Sequence, residues 1–97
     1  MELFDLSGKV AVITGSSKGI GKAIAERMAE HGARVVISSR KASDLEEASA
    51  ELQAAGIDAR WIAADCSQEE DIRRLTSETL QRVGDVDILV NNAGAAW

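Results

Sequence analysis

The chain has no proline, one cysteine, one histidine and only 3% aromatic residues. With no proline, 45% hydrophobic and 28% charged residues, the composition excludes a fibrous or disordered chain and fits one that packs a core. A single cysteine, Cys66, excludes an intramolecular disulfide and fits a reducing compartment, so a cytoplasmic location is expected. The acidic opening Met1-Glu-Leu-Phe-Asp-Leu6 lacks the basic and long apolar regions of a secretory signal. No apolar run is longer than a few residues, Val10-Ala-Val-Ile13 and Ile88-Leu-Val90 among them, which is far too short to cross a bilayer. Nor is there an excess of positive charge. Eleven basic residues are scattered among 16 acidic ones, for a net charge of −5, so a nucleic-acid partner is not expected. The lone histidine, His31, falls at a predicted helix end, where a cation is favourable against the helix dipole, and no metal site is expected. The length allows one small domain.

What is present alternates. Short β-branched runs give way to longer segments of helical period, each bounded by residues that start or stop an element. Residues 10–14 read as a buried strand, followed by glycines and a helix over 20–31 that ends at Gly32. Residues 34–39 form the second strand. The next helix is expected to open with a capping box, Ser43 with Glu46, and to close at Gly56, with Leu45, Ala48, Leu52 and Ala55 inward. A third strand covers 59–64 and holds Trp61 in the core. Ser67 with Glu70 is a second capping box, leading a helix with Ile72, Leu75, Leu80 and Val83 inward and Gly84 at its end. The fourth strand, 87–91, is apolar throughout, as strands covered on both faces are.

This β-α-β-α-β-α-β pattern predicts an α/β fold, a partial Rossmann or doubly wound parallel sheet with right-handed crossovers and strand order 3-2-1-4. The fourth strand is then a sheet edge presenting Ile88, Leu89 and Val90, and residues 1–97 by themselves are expected to be marginally stable and prone to associate.

Thr14-Gly-Ser-Ser-Lys-Gly-Ile-Gly21 lies where the first strand hands over to the first helix, the place where a parallel α/β sheet binds phosphate. Gly15 suits a tight turn, Gly19 allows backbone to approach a pyrophosphate, and Gly21 allows the helix to pack on the strand. A P-loop is excluded, since its lysine is followed by Ser or Thr for magnesium, whereas Lys22 is followed by Ala23. The spacing also departs from the three-glycine fingerprint of two-domain dehydrogenases, because three residues separate Gly15 from Gly19.

That spacing resembles the cofactor loop of the short-chain dehydrogenase/reductase family. Asp65, directly after the third strand, matches the family's adenine-side aspartate, and Asn91-Asn-Ala-Gly94 matches its Asn-Asn-Ala-Gly signature. By this resemblance Gly15, Ser17, Lys18, Gly19, Ile20 and Gly21 line the pyrophosphate and adenosine side of the cofactor, Asp65 and Cys66 flank the adenine, and Asn92, Ala93 and Gly94 approach the ribose. Each has a plainer alternative: Asp65 precedes the Ser67 cap, Cys66 is a small buried filler, and Asn91 fixes the loop.

The cofactor expected is NADP(H). Folds of this kind select NAD with an acid about 20 residues past the glycines. Here Ser39 holds that place, followed by Arg40 and Lys41, with Lys18 as a further cation. A guanidinium grips a phosphate through paired hydrogen bonds. The plainer alternative is a solvated turn in which Arg40 pairs with Asp44.

The family moves hydride between nicotinamide and a carbonyl/alcohol pair, with a tyrosine as general acid/base beside a lysine, a serine and an asparagine. A phenol with a pKa near 10 needs such a cationic neighbour to act at neutral pH. This chain has no tyrosine, so no residue of it is assigned a catalytic role. Residues 1–97 are therefore expected to be the N-terminal nucleotide-binding part of a single Rossmann domain, inactive alone, whose catalytic half lies downstream. A non-enzymatic NADP(H)-binding or sensing module is the alternative. The resemblance implies a homo-oligomeric parent, tetramer or dimer. It points loosely to sugar acids such as gluconate or to 3-oxoacyl thioesters.

Overall fold

A computed structural model describes residues 5–15 and 17–92. Four strands and three helices follow one another as β1 (Val10–Thr14), α1 (Gly19–Glu30), β2 (Arg34–Ser38), α2 (Ala42–Ala54), β3 (Ala59–Trp61), α3 (Glu69–Arg82) and β4 (Ile88–Asn91). The strands form one parallel sheet of order β3-β2-β1-β4, as the alternation predicts.

Because successive side chains on a strand point to opposite faces, the sheet sorts its apolar residues into two cores. Ala11, Ile13, Val35, Ile37 and Ala59 pack with Ala25 of α1 and Leu45, Ala48 and Leu52 of α2. Val12 and Val36, with Ile62 and Ala64 beyond β3, pack on the other face with Leu75 of α3. Consequently β1 and the inner part of β2 are buried at every position, which explains their unbroken apolar character.

Several elements differ in detail from expectation. Strand β3 stops at Trp61 rather than residue 64, although Ile62 and Ala64 still donate to the carbonyls of Ile37 and Ser39. Trp61 itself is half-buried against the α1–α2 core. Neither capping box forms. Helix α2 starts at Ala42, so Ser43 already lies within its first turn. Helix α3 opens one residue later than expected, with Gln68 as its N-cap, and the Ser67 hydroxyl donates to Asp65. Ala55 is exposed, lying past the end of α2. On α3, Leu75 is buried and Val83 half-buried, but Ile72 and Leu80 are 44% and 49% exposed. On β4, Ile88 and Val90 pack against the α1–α2 core, while Leu89, in register with Val12 on the α3 face, is 66% exposed. His31 is the C-cap residue of α1. Among the described residues, no helix is long and apolar enough to cross a membrane, and no group of side chains is suited to hold a metal ion.

Candidate nucleotide-binding edge

The candidate residues within the described part gather along the carboxyl ends of the strands, on three loops. The first is the glycine turn. Gly15 and Gly19 have φ of +63° and +59°, the left-handed region that glycine enters without steric cost. Lys18 is the N-cap of α1 in an extended conformation, and among the described residues no side chain caps the helix there. The first-turn N–H groups of α1 thus lack a side-chain acceptor, and a helix N-terminus in that state favours an anion. A Cβ placed on Gly19 would meet nothing within 4 Å, so the space above the turn is open. Ile20 is 73% exposed beside it, and Gly21 is buried against the sheet.

The end of β4 ties onto this turn. The Thr14 hydroxyl faces Asn91 Oδ1 at 3.2 Å and accepts the N–H of Asn92 at 3.1 Å, and Asn92 Nδ2 donates to the Gly15 carbonyl at 3.3 Å. The two asparagines therefore brace the first loop against the fourth strand. Ala93 and Gly94 lie outside the described residues.

At the end of β2 the Ser39 hydroxyl is buried and has no hydrogen-bond partner among the described residues. Its side chain is turned into the protein. Arg40 and Lys41 follow, both exposed. Among the described residues Arg40 forms no salt bridge. Asp44 instead approaches Lys18, with 3.8 Å between Nζ and Oδ2, and this replaces the Arg40–Asp44 pairing expected of a solvated turn.

The third loop follows β3. Asp65 Oδ1 accepts hydrogen bonds from the Ser67 hydroxyl (2.7 Å) and the Ser67 N–H (3.0 Å). These bonds, assisted by the Arg40 charge and opposed by slight desolvation, hold the carboxyl below its ordinary pKa. Cys66 is half-buried, and desolvation together with the charges of Asp65 and Asp71 pushes its thiol pKa up, so it stays protonated and unreactive at neutral pH.

Two residues here escaped the sequence reading. Asp71 Oδ2 accepts the Asp65 N–H at 2.7 Å, and Arg74 reaches the Ala63 carbonyl at 2.6 Å while lying 3.8 Å from Asp71. Both stand in the first two turns of a charged amphipathic helix, where nothing in sequence separates a loop brace from a solvated side chain.

The family model for short chain dehydrogenases matches residues 9–97. The chain belongs to that family. Among curated relatives, a short-chain dehydrogenase/reductase of Arabidopsis thaliana is 47% identical over 90 residues, covering 93% of this chain and 35% of its own length. Among solved structures, L-sorbose reductase from Gluconobacter frateurii, complexed with NADPH and L-sorbose, is 42% identical with a TM-score of 0.92, covering 100% of this chain and 37% of that one. The 2-keto-3-deoxy-D-gluconate dehydrogenase of Streptococcus agalactiae is 39% identical with a TM-score of 0.92, covering 97% and 35%. This short-chain dehydrogenase chain thus spans roughly a third of the length of the relatives it matches.

Proposed function

We propose that this chain is the NADP(H)-binding part of a single Rossmann domain in an oxidoreductase that moves hydride between nicotinamide and a carbonyl/alcohol substrate. The observation that carries this reading is the uncapped first turn of α1, opening from left-handed Gly19 beneath open space. Such a turn suits a pyrophosphate, with Gly15, Ser17, Gly19, Ile20 and Gly21 around it and Lys18 on the adenosine side. Asp65 and Cys66 take the adenine side, and Asn92, Ala93 and Gly94 the ribose. Bound NADP(H) supplies the hydride donor or acceptor; the chain binds and orients it.

Selection of the 2′-phosphate is assigned to Arg40, with Lys18 as the second cation and neutral Ser39 allowing the phosphate to approach. The similarity to a reductase solved with NADPH supports the phosphorylated cofactor. Losing one charge-assisted hydrogen bond costs about 1.5–3 kcal/mol, or roughly 10- to 150-fold in affinity. The test is titration of NADPH and NADH into the full-length protein and its Ser39→Asp/Arg40→Ala variant. Tight NADPH binding that swings towards NADH in the variant is expected, and equal affinities in the wild type would end the reading.

The similarity to L-sorbose reductase and to 2-keto-3-deoxy-D-gluconate dehydrogenase supports a sugar or sugar-acid substrate, and that to a 3-oxoacyl-[acyl-carrier-protein] reductase of Pseudomonas aeruginosa supports a 3-oxoacyl thioester. The parent is proposed to be a homo-oligomer. Residues 1–97 alone are expected to bind cofactor and to show no turnover. Dehydrogenase activity of that chain, lost on changing Lys18, would overturn this assignment.

A further inference from the structure

Helices α1 and α2 converge on a cleft of about 250 Å³ next to the glycine turn, lined in part by Lys18, Lys22, Asp44, Glu47 and Glu51. Carboxylates outnumber ammonium groups here. Lys22 is taken by Glu51 in an ion pair between the two helices. Lys18 is left facing Asp44 at 3.8 Å, and the two differ in freedom: the lysine side chain is 77% exposed, the aspartate side chain 26%. Asp44 is therefore the fixed partner and Lys18 the mobile one.

Asp44 is in the first turn of α2, where a carboxylate ordinarily turns back to cap the helix, yet no side-chain cap bond forms and the carboxylate points across the cleft. Arg40, without a salt bridge among the described residues, and Lys41, the N-cap of the same helix, stand just ahead of it. The cations assigned to the ribose phosphate thus share their space with one built-in negative charge.

We infer that Asp44 tunes cofactor choice: its carboxylate competes with the 2′-phosphate for Lys18, so that it lowers the affinity for NADPH and leaves that for NADH unchanged. This rests on the NADP(H) reading above. The chemistry is an exchange of ion pairs. When a dianionic phosphate arrives, Lys18 leaves one carboxylate oxygen for a group of greater charge, and Asp44 stays behind as a like charge close to it. An exposed pair of this kind is weak, so the phosphate wins, but each encounter carries the cost of releasing Lys18 and of the repulsion that remains.

The experiment is titration of NADPH and NADH into the full-length protein as wild type, Asp44→Asn, Lys18→Gln and the double variant. Asparagine keeps the size and polarity of the side chain, and Asp44→Ser is a second replacement should the first disturb α2. Removing a screened pair of about 0.2–1 kcal/mol, Asp44→Asn is expected to tighten NADPH binding about 1.4- to fivefold, with NADH unchanged. In the Lys18→Gln background the same change should give little or no gain. Added salt should weaken NADPH binding more steeply in Asp44→Asn than in wild type, because one internal counter-ion is gone.

Weaker or unchanged NADPH binding in Asp44→Asn would overturn the inference, as would equal shifts for both cofactors or an undiminished gain without Lys18. The cofactor reading is judged separately, on the wild-type ratio of NADPH to NADH affinity. A wild type without preference for NADPH defeats that reading, whatever Asp44→Asn does. A wild type that prefers NADPH, with no response to Asp44→Asn, defeats only the role of Asp44.

Discussion

On the α1–α2 face of the sheet, ion pairs run from helix to helix: Lys18 reaches Asp44 and Lys22 reaches Glu51. On the α3 face, Arg73 pairs with Glu69, and Arg74 and Arg82 with Glu78, all within α3. The apolar residues divide in the same way. The first face closes over Leu45, Ala48 and Leu52, whereas the second leaves a groove of about 360 Å³ between α3 and β4, lined in part by Val12, Ile72, Val86 and Leu89. Two helices on one side give each other partners for both charge and apolar surface; a single helix on the other satisfies its charges internally and leaves apolar side chains in water. The glycine turn stands on the closed face and the Asp65 loop on the open one. The two halves of the candidate site are therefore held by different means.

The largest expected difference is in the cores themselves. Leu45 is fully buried, and Leu45→Ala should cost about 2–5 kcal/mol, a large share of what a small domain has. Leu89→Ala, at a side chain already in water, should change stability by less than about 0.5 kcal/mol. Urea unfolding of residues 1–97 measures both, and equal losses would mean that the second face is closed in solution, for instance by self-association. Leu89→Lys should then restore the contrast and improve solubility.

A smaller contrast separates the turns that end α1 and α3. Gly32 has φ of +102°, and a Cβ there would sit 2.7 Å from the Ser7 hydroxyl and about 3 Å from Ser7 backbone atoms. Gly84 is also left-handed, at φ +140°, but a Cβ would meet only Val10 Cγ2 at an ordinary 3.8 Å. Gly32→Ala carries strain and a clash with backbone, Gly84→Ala strain alone; backbone strain of this kind costs on the order of 1–3 kcal/mol. The lower melting temperature should belong to Gly32→Ala. The reverse order would show that Ser7 yields easily.

How much of this was readable beforehand follows the same division. Strand order, the position of the glycine turn and the closed core were legible, because unbroken apolar strands and glycines at their ends depend on local sequence and on the handedness of crossovers. Periodicity alone placed Ile72 and Leu80 inward. They are exposed because the inward direction of a helix is set by what packs on it, and among the described residues nothing covers that side. The capping boxes failed for a related reason. Neither helix starts at the serine expected to cap it, α2 starting at Ala42 before Ser43 and α3 behind Gln68 after Ser67, and where a helix starts is settled by packing. Asp44 and Asp71 read as ordinary helix acids, since their partners, Lys18 and the Asp65 N–H, reach them only through the folded arrangement.

The smallest effect expected separates the two halves of the site by pH and salt. Asp65 is held below its ordinary pKa of 3.8, chiefly by the hydroxyl and then the N–H of Ser67. A carboxyl whose folded pKa is depressed lends stability that is fully present above the unfolded value and is lost as pH falls through the lower folded value. The loop after β3 should therefore hold its geometry at every pH above about 4 and loosen only below it. Carboxyl-carbon NMR titration follows Asp65 directly. In Ser67→Ala its pKa should rise towards the ordinary value, and in Ser67→Thr, which keeps a hydroxyl, it should stay low. Raising salt from 0.05 to about 0.5 M should leave the Asp65 shift nearly intact, because short hydrogen bonds are screened little, whereas the exposed Lys18–Asp44 pair should weaken. If salt instead erased the Asp65 shift while Ser67→Ala left it unchanged, the distant Arg40 charge would be its main cause, and the open-face half of the site would be held, like the other, by ion pairing between loops.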